Sequence, residues 1–169
     1  MLPFSLMSFC FRHSCILAVI ALAASGCASV AGVQDVVVDF LVIPTSNGTF
    51  FRWNEVNTAL ATTSVNRATL LAVTLDVQAP EGTPDLTFLK NVTGEAVNGD
   101  KRTLVVAAES FPKGEQAVIL DVKYHDDLRP LFKDPNTLRI EWNGQINTAY
   151  TGWPAEGFSV RGRIKVDIE

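Results

Sequence analysis

The sequence predicts an all-β domain, an antiparallel β-sandwich of about seven or eight strands with one or two short helical turns; a small β-barrel is the alternative. Three observations carry this. Short apolar or alternating segments recur through residues 35–169, with Pro, Gly, Asn and Asp clusters between them. No strand–helix–strand alternation argues for a parallel sheet. The last segment is the cleanest strand in the chain. Phe158, Val160, Gly162, Ile164, Val166 and Ile168 alternate with Ser159, Arg161, Arg163, Lys165 and Asp167, one face for a core and one for water.

The first strand is Asp35 to Ile43. Val36, Val38, Phe40 and Val42 share one face, and Val37, Asp39, Leu41 and Ile43 the other. Both faces are largely apolar, so this strand reads as central in its sheet. Pro44 to Gly48 turns the chain, with Asn47-Gly48 suited to a tight hairpin, and Thr49 to Trp53 returns as a second strand. Asn54 to Ser64 reads as either a short helix or a crossing loop. Val65 to Val77 is a strand with Leu71, Val73, Leu75 and Val77 on one side, ended by Pro80, Gly82 and Pro84.

Asp85 to Lys90 is a helical turn with Leu86 and Leu89 inward. Val92 to Val97 and Thr103 to Ala108 form a hairpin around Asn98-Gly99-Asp100. Phe111 to Gly114 turns again, and Ala117 to Val122 is a strand. Asp126 to Lys133 is a second helical turn and Asp134-Pro135-Asn136 a further turn. Thr137 to Asn143 sets Leu138, Ile140 and Trp142 against Arg139, Glu141 and Asn143. Trp53 and Trp142 are expected in the core or at its edge.

Two corners resemble each other. Leu75-Asp76-Val77 leads to Asp85-Leu86, and Leu120-Asp121-Val122 leads to Asp127-Leu128. This is either an internal duplication or two similar corners. In both, the aspartate suits capping of a helical turn, and the leucines suit plugs at opposite ends of the domain.

Ahead of the domain lies a leader. Met1 to His13 is short and carries only Arg12 (and His13) as basic side chains; Cys15 to Ala24 is apolar; Ala24-Ser25-Gly26 is small; Cys27 follows at once. The apolar run fits a secretory signal of ~7–15 residues and falls short of the ~20 needed to span a membrane as a helix. Met7 is an alternative start. The expected division is therefore a helical signal peptide over 1–26, a short tether over 27–34, and one domain over 35–169.

Ala24-Ser25-Gly26-Cys27 resembles the lipobox of bacterial lipoproteins, departing from it only in alanine where leucine is preferred. The resemblance implies cleavage between Gly26 and Cys27, acylation of Cys27, and a lipid bilayer as partner. Two or three acyl chains anchor stably where one does not. Ala28 in place of aspartate implies the outer membrane, facing the periplasm. The alternative is an ordinary cleavable signal, with a cut after Ala28. Cysteine usage agrees with the lipobox: Cys10 and Cys15 lie in the leader, so Cys27 is the sole cysteine of the processed chain and no disulfide forms within it. The order of elements across most of residues 65–169 also resembles uncharacterised single-domain β-sandwich lipoproteins of Gram-negative bacteria. That likeness brings no catalytic residues with it.

The processed chain keeps 13 basic side chains against 18 acidic ones, which argues against nucleic acid as a partner. No nucleophile elbow, zinc-protease helix or phosphate loop is present, no cofactor is implied, and the sole histidine after the leader is His125. A hydrolase would have to use it beside Asp126 and Asp127, which cannot orient it as a triad does. Asp126, Asp127 and Asp134 offer carboxylates for calcium but lack its loop pattern; a cap with solvated charges is the simpler reading, and no metal is expected. Tyr150 and Trp153, with Phe158 nearby, are the candidate contacts for a ligand or partner, against a loop that seals the core. Arg161, Arg163 and Lys165 read as a charged edge that blocks stray strand pairing. The expectation is a non-enzymatic lipoprotein with a structural or protein-binding module and an envelope protein as partner. A glycan-binding module stands second and a hydrolase third.

Overall fold

The computed structural model describes residues 32–57, 65–78, 85–134 and 137–169. The leader, Gly26 and Cys27, and most of the ambiguous stretch 54–64 lie outside the described residues. Eight strands follow in order: β1 (Gly32–Val42), β2 (Thr49–Asn57), β3 (Ala68–Gln78), β4 (Leu89–Asn98), β5 (Lys101–Ala108), β6 (Ala117–Val122), β7 (Thr137–Ile146) and β8 (Phe158–Ile168). Among the described residues two single helical turns, Leu86–Phe88 and Arg129–Leu131, interrupt them. The fold is all-β, and every strand pairing is antiparallel.

The strands form one sheet in the order β1-β8-β3-β6-β5-β4-β7-β2. Its two outer strands, β1 and β2, are joined by a turn in which the Gly48 amide donates to Thr45 O at 3.1 Å and Gly48 takes φ +71°. They come together without a backbone ladder, so the sheet is nearly closed. Side chains bridge the seam instead. Arg52 Nε donates to Leu41 O at 2.6 Å, and Asn54 Nδ2 donates to Asp39 O at 3.0 Å. Both residues have the inward parity of β2, where Phe50 and Val56 are core. The seam thus substitutes side-chain donors for the missing ladder.

Trp142 fills the centre of the core. Its ring stacks on Phe40 at 5.2 Å, and its indole N–H donates to Asn54 Oδ1 at 3.0 Å, so the buried donor is satisfied from the seam. Gly94 makes room for it: a Cβ there would lie 2.7 Å from Val106 and 3.0 Å from the Trp142 ring. Inward side chains fill the interior, and the enclosed apolar void beside Trp142 measures only about 20 Å³, too small for a ligand.

Several expectations need correction. β1 is an outer strand rather than a central one, and its second apolar face points outward with nothing among the described residues packed over it, leaving Val33, Val37 and Leu41 exposed, with Ile43 just beyond the strand. It also begins at Gly32, inside the stretch read as tether. β8 is not an edge: it lies between β1 and β3. Two of the three cations in its basic stripe are paired by neighbours, Arg161 by Asp39 and Arg163 by Asp76, each with a 2.8 Å contact. β2 continues to Asn57 because Asn54–Asn57 pair with the start of β7. Leu71 is exposed, because a bulge between Leu70 and Ala72 shifts the alternation of β3. The β4–β5 hairpin turns on two residues, Gly99 and Asp100, with Gly99 at φ +60°; glycine alone adopts that value without steric cost.

The two similar corners lie at opposite ends of β8. Asp85 Oδ1 accepts from the Thr87 amide at 3.1 Å and Oδ2 from the Gly114 amide at 2.6 Å. Asp127 Oδ1 accepts from the Arg129 and Ala68 amides at 3.2 and 3.1 Å. Leu86 and Leu128 are both buried behind them.

Candidate functional site

Tyr150 and Trp153 belong to the loop between β7 and β8, and that loop is stitched to the first helical turn. The Asn147 amide donates to Phe88 O at 2.7 Å and Asn147 Nδ2 to Thr87 O at 3.2 Å. Phe88 stacks on Phe158 at 4.3 Å, and Trp153 and Tyr150 meet both rings edge-on or tilted at 5.2–6.2 Å. Both side chains are half-buried and cover one end of the core. Burial, together with the charge of Asp85, pushes the Tyr150 hydroxyl above its ordinary value.

The acidic corner is committed elsewhere. Asp127 holds Arg129 through contacts of 2.8 and 2.6 Å, besides the two amides at its Oδ1. Burial works to raise its pKa, but the Arg129 hydrogen bond and the amides outweigh this and hold it below the usual aspartate range. Asp126 and Asp134 are exposed, and among the described residues no three His, Cys, Asp or Glu side chains gather to hold a metal. His125 is exposed in the same loop.

The exposed aromatics lie on a different surface. Phe50 and Phe51 are adjacent on β2, so period two sends one inward and the other outward. Phe50 is core; Phe51 is 45% exposed, and Trp53, two residues on with the same parity, is 51% exposed. The expectation that Trp53 lies in the core or at its edge is thereby corrected, while Trp142 is fully buried.

Strands β2, β7 and β4 lie side by side, and their outward residues form a grid. Thr49, Gln145 and Asn91 stand in one cross-strand row; Phe51, Asn143 and Thr93 in the next; Trp53, Glu141 and Glu95 in the third; Glu55, Arg139 and Val97 in the fourth. The first two rows line an open groove of about 590 Å³, flanked by the β1–β2 turn. In the first row Asn91 Nδ2 donates to Gln145 Oε1 at 3.1 Å, and the Gln145 amide donates to Asn91 Oδ1 at 3.0 Å. This reciprocal pair orients both side chains.

The third and fourth rows are charged and locked. Glu141 points outward yet is only 2% exposed, because Arg102, Arg139 and their neighbours cover it. Arg139 reaches its Oε1 through Nε at 3.1 Å and Nη2 at 2.8 Å, and Arg102 reaches Oε2. Burial raises the Glu141 pKa, but the hydrogen bonds from Arg102 and Arg139 and their charges reverse this and hold it below the usual range. Arg139 also lies over one face of Trp53, 4.8 Å from its centroid.

The chain matches no protein-family model, no curated protein and no solved structure.

Proposed function

We propose that this chain is a non-enzymatic lipoprotein of the Gram-negative cell envelope. In this reading the signal ends at Gly26, Cys27 is acylated, and the protein is held to the outer membrane on its periplasmic side. The Ala24–Cys27 lipobox resemblance supports the anchor, and the tether to β1 is short. We further read the near-closed sheet as a small barrel whose last seam, β1 to β2, is latched by Arg52 and Asn54 rather than as two separate packed sheets.

The domain acts as a binding module. One observation carries this: Phe51 and Trp53 stand exposed beside a groove on the outer face of β2, β7 and β4, while the void beside Trp142 among the described residues measures only about 20 Å³. Recognition therefore takes place on the outside of the sheet. Tyr150 and Trp153 serve the same module by sealing its end, which is why we move the ligand contacts away from them. An envelope protein remains the alternative occupant; the amide-rich lining favours the ligand argued below.

The anchor is tested by the intact mass of protein purified from membranes, beside Cys27→Ala. Expected is the mass of residues 27–169 plus two or three acyl chains, with Cys27→Ala unprocessed or released from the membrane. A lipid-free mass would sink the lipoprotein reading.

A further inference from the structure

We infer that the groove on β2, β7 and β4 is a binding site for a short, uncharged oligosaccharide. This rests on the reading of the domain as a binding module and names its ligand class. The lining argues it. Thr49, Asn91, Thr93, Asn143 and Gln145 are all polar and all uncharged, and Phe51 supplies one exposed aromatic face. Arg52 is the one charged side chain among the described lining residues. Two of its donors are already engaged, Nε by Leu41 O at 2.6 Å and Nη1 by Phe51 O at 2.7 Å. Both acceptors are neutral carbonyls, so Arg52 keeps its charge and its remaining N–H donors, which suit sugar hydroxyls as acceptors, and the polygalacturonate arm of the test below separates an anion from a neutral sugar. A nucleic acid would be repelled by the chain's acidic balance. An apolar peptide would leave five polar side chains desolvated without partners, at a cost for each.

A sugar fits each part of this surface. Carboxamides and hydroxyls offer donor and acceptor together, as sugar hydroxyls and acetamido groups do. Asn91 occupies Gln145 Oε1 and so turns the Gln145 NH2 outward as a donor. Thr93 spends its hydroxyl proton on Asn143 O at 3.4 Å and keeps its lone pairs free to accept. The Asn143 side chain lies between these two, at the middle of the grid and half-buried. The apolar C–H face of a pyranose ring then packs on Phe51, an amphipathic pairing in which one partner face is apolar and the rim is wet. Trp53 follows at the next outward position of β2, ~6.7 Å further along the strand, so a chain of sugars running along β2 meets a second aromatic. In the charged rows beyond it Arg102 and Arg139 converge on Glu141, and Glu95, 3.7 Å from Arg102, supplies the second carboxylate, so the two cations are matched by two anions.

The test uses the full chain as cells produce it, in a detergent without a sugar head group, titrated with chitotetraose and with cellotetraose. At least one of the two should bind with a Kd of about 1 mM or tighter. Phe51→Ala and Asn143→Leu should each weaken it by about tenfold or more, while a folded Trp153→Ala binds as the parent does. Failure of both probes to bind overturns the inference. So does binding unchanged by Phe51→Ala and Asn143→Leu, or stronger binding of the anionic probe polygalacturonate. The anchor is read separately by intact mass, so an acylated protein without sugar binding sinks the groove alone. A lipid-free protein that binds sugar sinks the anchor alone.

Discussion

Two groups of aromatic side chains differ in their surroundings more than in their chemistry. Phe88, Phe158, Tyr150 and Trp153 meet at one end of the sheet, ring against ring, with the loop carrying them hydrogen-bonded to the first helical turn. Phe51 and Trp53 stand on the outer face of β2 with half their surface in water. The first group stabilises the fold by removing apolar area from water. The second contributes little to folding and leaves its area available to a ligand. The comparison teaches that what covers an aromatic residue, more than its chemistry, decides whether it serves the core or stays exposed at the surface.

The sharpest way to break this contrast is Phe88→Ala. Phe88 is fully buried and touches the other three rings, so the substitution should cost about 3–5 kcal/mol, read as a lower denaturant midpoint. Trp153→Ala should cost less, roughly 2 kcal/mol, because the ring is only half-buried. A loss under about 0.5 kcal/mol there would mean that the loop does not seal the core.

Glu141→Gln probes the locked rows beside the open aromatics. It removes the charge that Arg102 and Arg139 converge on and should cost about 1.5 kcal/mol at neutral pH. The sign with pH follows from the depressed carboxyl. Its stabilisation is fully present above the ordinary glutamate value of 4.5 and is lost as pH falls through the lowered folded-state value. Parent and variant should therefore converge in acid, as stability measured against pH would show. Parallel curves would contradict the assignment. Smallest of all, Phe51→Ala should move stability by no more than about 0.5 kcal/mol while weakening sugar binding by about tenfold or more. A large stability loss would place Phe51 with the sealed group instead.

Much of the fold was legible in the sequence because period two is a local property. The alternation of β8 and the turn at Asn98-Gly99-Asp100 needed no partner to be read; β8 stands where expected, and the hairpin forms there with its strands extended to Asn98 and Lys101. The second apolar face of β1 misled for a related reason: pattern tells which residues share a face, not whether anything covers it. Part of the groove was readable too. Adjacent Phe50 and Phe51 on a strand must face opposite ways, so one of them had to be outside. The amide row was not readable, since Thr49, Asn91 and Gln145 are brought into register only by strands distant in sequence.

The sequence by itself determined the all-β class, the faces of most strands, the turns that glycine requires and the acidic balance. Only the tertiary structure decided which strands are neighbours and what each outward face meets. It put Asp39 against Arg161, 122 residues away, and turned an apparent basic edge into an interior strand with two of its three cations paired. It buried Glu141 under two arginines and left Trp53 in water. The physical reason is that side-chain direction follows from the backbone of a single strand, whereas burial and charge pairing depend on partners that long-range strand pairing alone supplies.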